Sequence, residues 1–126
     1  MALVASINHL PPRVLPSIQA VEGGTIGSVS PNTDGTQDLG LMQINTLWLP
    51  DLARITGTSQ VAVRNRLITR PCFNISVAGA IIKLYLRETH GDLMRAIGNY
   101  HSHTPSLNAG YQIKVQQSAA RLFSAK

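Results

Sequence analysis

The sequence is short of acidic residues, aromatic residues and cysteine, and each shortage argues against a kind of partner or a structural feature. Only six of its 126 residues are aspartate or glutamate, against eleven lysines and arginines, so the formal net charge is +5. A positive charge of this size favours an anionic partner, such as nucleic acid, a membrane surface or a cell-wall polymer. The basic residues are scattered, with few aromatic residues between them. This argues against nucleic-acid binding, which usually needs a dense basic stripe or stacking rings.

Cysteine and long apolar runs are also scarce. The single cysteine, Cys72, excludes an intramolecular disulfide, and we expect it to be a small buried apolar residue. No apolar run approaches the roughly 18 residues of a membrane span, so no membrane-spanning segment is predicted. The first seven residues are apolar but lack the basic start and the length of an export signal. A length of 126 residues without internal repeats predicts one domain, residues 1–126.

Helical periodicity is what the chain has in abundance. Pro11 and Pro12 suit the first turn of a helix, whose apolar positions recur as far as Val21 before Gly23 and Gly24 end it.

A turn-rich stretch follows at residues 25–36, and Asp34-Gly35 within it is a hairpin signal. We therefore predict a short ribbon of two or three strands. The rest of the chain has helical patterns, predicted at residues 41–48, 50–56, 59–67, 72–89, 92–101 and 107–124. The helix predicted at residues 72–89 is apolar nearly all round, which predicts a central buried helix. The predicted fold class is α+β, predominantly α, with a small β ribbon.

One carboxylate stands apart from the others. Glu22 follows Leu15 and Ile18 at i+7 and i+4 on one helix face, so its carboxyl loses hydration and its pKa is expected to be raised. Such a carboxyl is able to act as a general acid near neutral pH. The other carboxylates have plainer predicted roles. Glu88 is predicted to be a solvated charge and Asp34 a turn residue, and Asp51 and Asp92 are predicted to be helix caps.

Two further segments carry side chains suited to binding a sugar. In Asp38-Leu39-Gly40-Leu41-Met42-Gln43-Ile44-Asn45, a glycine permits close backbone approach, and two amides both donate and accept hydrogen bonds. In residues 99–102, the hydroxyl of Tyr100 is able to orient a carboxylate or a sugar. A surface loop would explain Gln43 and Asn45 separately just as well. For Tyr100, a packing role at the edge of the core is the plainer interpretation when its segment is taken alone.

The remaining histidines and aromatic residues are given structural interpretations. His101 and His103 form a pair, but no third ligand has a supporting motif. No metal and no cofactor is therefore predicted. Trp48 and Tyr111 are interpreted as packing residues.

Taken together and in this order, the three segments resemble the lytic transglycosylases of the soluble-type (SLT) domain family, from about Pro12 to Tyr111. Val21-Glu22-Gly23-Gly24 is similar to the family's catalytic glutamate motif, residues 40–45 to its Gly-Leu-Met-Gln motif, and residues 99–102 to its tyrosine-containing segment. The resemblance implies a lysozyme-like fold with Glu22 as the catalytic residue. The substrate-binding residues that it implies are Asp38, Gly40, Met42, Gln43, Asn45, Tyr100 and Ser102.

Two positions depart from the family pattern. The family usually has serine after the catalytic glutamate, where this sequence has Gly23, so the resemblance implies that another group, Tyr100, orients the acid. The family's tyrosine is commonly followed by asparagine, where this sequence has His101. Features similar to small specialised members that accompany secretion and conjugation machines are found in segments 38–40, 48–50 and 71–75.

The resemblance also implies an activity on peptidoglycan, in the periplasm or cell envelope. We expect the chain to act as a monomer. Glu22 acts first as acid and then as base, and the 2-acetamido oxygen of N-acetylmuramic acid (MurNAc) replaces a second carboxylate. The bond from MurNAc to N-acetylglucosamine (GlcNAc), a β-1,4 linkage, is then cleaved without water to a 1,6-anhydro end. Two alternatives stay open: a hydrolytic muramidase in which Asp38 or Asp34 positions water, and a peptidoglycan-binding assembly factor without turnover.

Overall fold

A computed structural model describes residues 1–124. The chain forms two compact units: one comprises Met1–Val21 together with the chain from Ala78 onward, and the other comprises Glu22–Val77. The single domain predicted for residues 1–126 stays a prediction, and its last two residues lie outside the described residues.

Helices dominate the described chain, and its strands lie between residues 29 and 45. The helices are α1 (Ala2–Ile7), α2 (Val14–Glu22), α3 (Leu49–Thr56), α4 (Gln60–Thr69), α5 (Pro71–Glu88), α6 (Leu93–His101) and α7 (Pro105–Phe123). The strands are β1 (Val29–Pro31), β2 (Gln37–Leu39) and β3 (Ile44–Asn45), and a 3-10 helix spans Thr46–Trp48. The predicted class, predominantly α with a small ribbon, is confirmed, while α1 was not predicted.

The ribbon is a three-stranded antiparallel sheet in the order β1-β2-β3. Val29 lies opposite Leu39, and Asp38 lies opposite Asn45. The predicted turn between β1 and β2 is present, because Oδ1 of Asp34 accepts hydrogen bonds from the backbone N–H and the hydroxyl of Thr36, at 2.9 and 2.6 Å. An aspartate that binds the backbone two residues ahead is typical of such turns.

The helix predicted at residues 41–48 is wrong. Gly40 and Gln43 both have a positive φ, 67° and 54°, which a right-handed helix does not allow. The two residues after Gln43, Ile44–Asn45, pair instead with β2. Local periodicity favoured a helix, but pairing with a distant strand decided the conformation.

The start of α2 also differs from the prediction. Pro11 and Pro12 precede the helix, which begins at Val14, and the N–H of Val14 donates to the carbonyl of Pro11 at 3.2 Å. Pro16 is the third residue of α2, where a backbone N–H would have no partner within the helix. The missing N–H of this proline therefore costs the helix nothing.

Helix starts elsewhere follow the predicted capping only in part. Asp92 accepts from the N–H of Arg95 at 3.1 Å and is an N-cap as predicted. Ser59 caps α4 in the same way, because its Oγ accepts from the N–H of Ala62 at 3.0 Å. Asp51 is not a cap. It lies in the first turn of α3, and its carboxylate contacts Arg54 at 3.2 Å.

Each unit has its own apolar interior. In the unit Glu22–Val77 the fully buried side chains include Leu39, Met42, Ile44, Val63 and Leu67. In the other unit they include Leu15, Ile18 and Ile82, with Ile97 and Val115 almost as well buried. Burial of side chains of this size stabilises a fold by about 1.5–3 kcal/mol each.

Helix α5, predicted to be a central buried helix, is not buried all round. Cys72, Ser76, Ala80 and Leu84 recur every fourth residue and form an exposed stripe, whereas Ile82 on another face is fully buried. The composition of the helix concealed this stripe because its members are small or apolar. The prediction that Cys72 is buried is therefore wrong, since it faces solvent at the start of α5.

No single helix within residues 1–124 is long and apolar enough to cross a membrane. The pair α4 and α5 meets the length and hydropathy together, but the two helices bend by 107° where they join.

Candidate active site

Glu22 is the last residue of α2 and is half-buried. Leu15 and Ile18, which precede it on the same helix face, are fully buried. Gly23 then leaves the helix with a φ of 67°, a left-handed conformation in which a residue with a Cβ is strained. The carboxylate therefore sits where an apolar helix face ends, and the turn after it depends on glycine.

The segment after Glu22 lies directly against the loop that follows β2. A Cβ added to Gly24 would lie 2.3 Å from the carbonyl oxygen of Gly40 and 2.5 Å from that of Leu41. No side chain fits at this distance, so Gly24 allows the two backbones to touch. The first two of the three predicted segments are thus brought together, within the unit Glu22–Val77.

The loop that contains Gln43 is held by its own hydrogen bonds. The amide Nε2 of Gln43 donates to Oγ of Ser28 at 3.2 Å and to the carbonyl of Gly40 at 3.0 Å. Gln43 has a left-handed φ of 54°, a conformation that is uncommon outside glycine and is often found at functional sites. In the described chain the Oε1 atom of Gln43 accepts no hydrogen bond, which leaves an acceptor for a ligand.

Asn74, in the first turns of α5, fixes the same loop from below. It is fully buried, and its Oδ1 accepts from the N–H of Met42 at 2.8 Å. Its Nδ2 donates to the carbonyls of Leu39 and Leu67, both at 2.9 Å. All the hydrogen bonds this amide needs are satisfied, as burial requires.

Asn74 was not among the residues predicted for the site, and it lies inside α5, which begins at Pro71. The missed signal was an asparagine inside an apolar helical pattern. A short amide is unfavourable there unless it has a specific partner.

The ribbon holds Asp38 and Asn45 side by side. Nδ2 of Asn45 donates to Oδ1 of Asp38 at 3.1 Å and to Oγ1 of Thr36 at 3.0 Å, and its Oδ1 accepts from the N–H of Leu47 at 2.9 Å. Both the oxygen and the nitrogen of the Asn45 amide therefore take part in hydrogen bonds within the protein. Asp38 is half-buried, and these bonds use only one of its two carboxylate oxygens.

Asp34, the other aspartate of the ribbon, is occupied by the turn. The hydrogen bond from the Thr36 hydroxyl, followed by that from the Thr36 backbone, lowers the pKa of this carboxyl below its usual value. A group held ionised in this way is a poor proton donor, and its geometry is explained by the turn alone.

The predicted residues Gly40 and Met42 are fully buried, so they support the loop from within. A Cβ on Gly40 would lie 2.3 Å from the carbonyl oxygen of Leu67. We interpret both residues as positioning the loop against α4 and α5.

Tyr100 and Ser102 belong to the other unit, where the residues around Tyr100 are fixed on both sides. Nδ2 of Asn99 donates to Glu88 at 3.2 Å, and Oδ1 of Asn99 accepts from Asn108 at 2.8 Å. On the other side, the ring of His101 stacks on the buried Tyr111 with the centroids 5.0 Å apart. Tyr100 itself is half-buried.

Glu88 is exposed as predicted, but it is not merely solvated. Besides Asn99 it contacts Nε2 of His103, so two partners hold its carboxylate. Burial, and secondly the charge of Glu88, raise the pKa of the nearby Tyr85 above its ordinary value.

Ser102 ends α6 and starts the turn before α7. Its N–H donates to the carbonyl of Gly98, and its Oγ accepts from the N–H of Thr104, both at 3.0 Å. Its carbonyl accepts from Nδ2 of Asn108 at 3.2 Å. These bonds shape the chain immediately after Tyr100.

The two histidines of the predicted pair have different partners, Tyr111 for His101 and Glu88 for His103. Within residues 1–124 there is no group of three or more histidine, cysteine, aspartate or glutamate side chains that could hold a metal ion.

The family model of the transglycosylase SLT domain matches residues 4–119. The chain belongs to this family. The family's members are lytic transglycosylases that act on peptidoglycan, and the predicted family and lysozyme-like fold are confirmed. The match begins before Pro12 and so includes most of α1, which sequence analysis did not assign.

Among curated relatives, the chain is similar to the invasion protein IagB of Salmonella typhimurium, strains SL1344 and LT2, and of Salmonella typhi. Each is 33% identical over 78 residues, which cover 62% of this chain and 45% of the relative. The match thus spans less than half the length of these relatives.

Proposed function

We propose that this chain is a peptidoglycan lytic transglycosylase that cleaves the MurNAc–GlcNAc β-1,4 bond without water and leaves a 1,6-anhydro end. The observation that carries the proposal is the contact of Gly24 with the backbone of Gly40 and Leu41, which joins the segment of Glu22 to the loop of Gln43. A general acid and an amide for the substrate then belong to one compact unit.

In the proposed reaction Glu22 protonates the glycosidic oxygen as the bond to the anomeric carbon breaks, and the 2-acetamido oxygen of MurNAc bonds to that carbon. The Glu22 carboxylate then takes the proton of the 6-hydroxyl. The freed oxygen bonds to the anomeric carbon and displaces the acetamido oxygen, which closes the 1,6-anhydro ring. A second protein carboxylate and a water molecule are not needed, unlike in the glycosidases that use a carboxylate pair.

The other predicted residues receive supporting roles in this proposal. Oε1 of Gln43 accepts a hydrogen bond from a sugar hydroxyl or the N–H of an acetamido group, because its Nε2 is already bonded. Tyr100 and Ser102 have the role of substrate contacts. Asp38 contacts the substrate beside Asn45, and Asn45 sets the position of Asp38.

Substrate, location and partners follow from the family and the charge. We propose that the chain acts as a monomer on peptidoglycan in the periplasm or cell envelope, where a net charge of +5 favours an anionic wall polymer. A role beside a cell-envelope secretion or conjugation complex is part of the proposal because segments 38–40, 48–50 and 71–75 are similar to specialised family members. The Salmonella relatives are named invasion proteins.

Mass spectrometry of peptidoglycan digested with the protein tests this function. We expect 1,6-anhydro ends from the wild-type chain and at least about a hundredfold slower release from Glu22→Gln, because general acid-base catalysis contributes about that much. The matched control is Asp51→Asn, an exposed carboxylate on α3, which should digest at the wild-type rate.

Each other product pattern overturns the proposal. Reducing ends would identify a hydrolytic muramidase, in which Asp38 positions water, and Asp38→Asn should then abolish digestion. Binding to peptidoglycan without products would identify the assembly factor. Equal rates for Glu22→Gln and the wild type would remove Glu22 from the mechanism.

A further inference from the structure

A cleft of about 420 Å³ lies in the unit that contains α1, at the ends of α1 and α5. Its lining is basic. The four side chains that give it this character are His9, Lys83, Arg87 and His90.

No carboxylate of the described chain neutralises these groups. None of the four side chains makes a hydrogen bond or ion pair within residues 1–124. The acidic residues nearest in sequence are already bonded, since Glu88 contacts His103 and Asp92 caps α6. The positive charge of the cleft is therefore available to a ligand.

Lys83 and Arg87 bring like charges close together. Lys83 and Arg87 are four residues apart on α5, a spacing that places like charges on one helix face and is unfavourable without an anion between them. The helix dipole favours cations at helix C-termini, which helps to explain Arg87 in α5 and the histidines that follow α1 and α5. It does not explain Lys83, which lies more than one turn before the end of α5.

The two histidines occupy an unusual backbone conformation. His9 follows the end of α1 with a φ of 56°, and His90 follows the end of α5 with a φ of 53°, at positions where glycine is the usual residue. Among non-glycine residues 1–124, Gln43 is the one further case of a positive φ. Strained residues of this kind are concentrated at ligand-binding sites.

The lining offers hydrogen-bond donors to a ligand. Lysine and arginine side chains have donors and no acceptor. Asn8 also lines the cleft, but its Nδ2 already donates to the carbonyl of Val4 at 2.9 Å. A ligand that matches carries several acceptor oxygens and negative charge. The planar fork of Arg87 beside the ammonium of Lys83 suits a phosphate, which accepts on each of its oxygens.

We propose that this cleft binds a phosphate group, carried by a soluble ligand or by a phospholipid headgroup. None of the residues that line the cleft is among the proposed catalytic or substrate-binding residues.

Two assays test the proposal and separate the two sources of phosphate. Calorimetry with inorganic pyrophosphate measures soluble binding, and sedimentation with vesicles of phosphatidylglycerol, against phosphatidylcholine, measures binding to anionic headgroups. The double variant Lys83→Ala/Arg87→Ala should weaken the binding by about tenfold or more, as expected for lost charge-assisted hydrogen bonds. The control Lys114→Ala/Arg121→Ala removes the same charge from α7 and should keep it.

A second variant leaves α5 unchanged. His90→Asn keeps a residue that tolerates the left-handed conformation but removes the imidazole, and it should weaken the same binding. Binding of pyrophosphate supports a soluble ligand, and binding of phosphatidylglycerol vesicles alone supports a headgroup. The proposal is overturned if the wild type binds neither, or if the α7 control loses as much affinity as the cleft variant, since net charge alone would then explain the effect.

Discussion

The backbone N–H of Met42 donates to Oδ1 of Asn74, a residue 32 positions further along the chain. Because the same side chain also donates to the carbonyls of Leu39 and Leu67, it ties the loop of Gln43 to two helices at once. The position of a proposed substrate-binding loop thus depends on a buried amide that does not belong to it.

Replacing Asn74 should therefore unfold the protein more easily. Asn74→Asp removes both N–H donors and sets a carboxylate against two carbonyl oxygens in a fully buried place. We expect the free energy of unfolding to fall by about 3–5 kcal/mol, measured by urea denaturation. Asn65→Asp, the same change at an exposed position of α4, should alter it by less than about 0.5 kcal/mol. Similar values for the two variants would contradict the role given to Asn74.

Two glycine-to-alanine substitutions should have opposite effects. Gly24→Ala places a methyl group within 2.3 Å of the Gly40 carbonyl oxygen, so we expect lower stability and loss of 1,6-anhydro product. Gly110→Ala in α7 meets nothing within 4 Å and should raise the free energy of unfolding by about 0.5–1 kcal/mol, because alanine is the better helix former. Thermal denaturation and product release measure both. A neutral Gly24→Ala would show that the two segments are not in tight contact.

Gln43→Gly should separate activity from stability. Glycine removes the side chain but relieves the left-handed strain, and because the two effects oppose each other the net change in stability should be within about 1 kcal/mol. The rate of product release should still fall by about tenfold or more, because the proposed hydrogen bond from the substrate to Oε1 of Gln43 is lost. An unchanged rate, with denaturation curves showing a folded protein, would remove Gln43 from the substrate-binding set.

Tyr85 should make stability sensitive to alkaline pH. Its folded-state pKa is raised above the ordinary 10.0 by burial and then by Glu88, so the unfolded chain loses this proton first. The contribution of Tyr85 is fully present below pH 10.0 and is lost as the pH rises through the folded pKa. Stability measured from pH 9 to 11 should decline more in the wild type than in Tyr85→Phe.

Glu88→Gln tests the second cause of the same shift. Removing the charge should move the pKa of Tyr85 back toward 10.0, which an ultraviolet titration corrected with Tyr85→Phe would detect. A pKa that stays where it was in the wild type would leave burial as the whole cause.

Much of the fold could be predicted from local patterns. The helical periodicity from residue 50 onward places α3 to α7 within a few residues of their observed bounds, and Asp34-Gly35 locates the turn of the ribbon. These features depend on neighbours a few residues apart. The third strand could not be found in this way, since Ile44–Asn45 is a strand only because β2 lies beside it.

The residues proposed for the site could be singled out in the sequence, and their roles stay predictions, whereas the side chains that support them were not predicted. Glu22 and the loop of Gln43 were singled out by their chemistry and by family resemblance. Asn74 was not, because its partners are backbone groups 7, 32 and 35 positions away, a separation that no periodicity reports. The contacts of Glu88 with Asn99 and His103 were not predicted either, because these partners are also too far away in the sequence for periodicity to report them.

The exposed Cys72 at the start of α5 has a practical consequence. It is the chain's single cysteine and lies two residues before the buried Asn74. A maleimide fluorophore or spin label would therefore attach at one place without any engineered thiol. Such a probe would report on the first turn of α5 while glycan fragments are added, and so follow the loop's support directly.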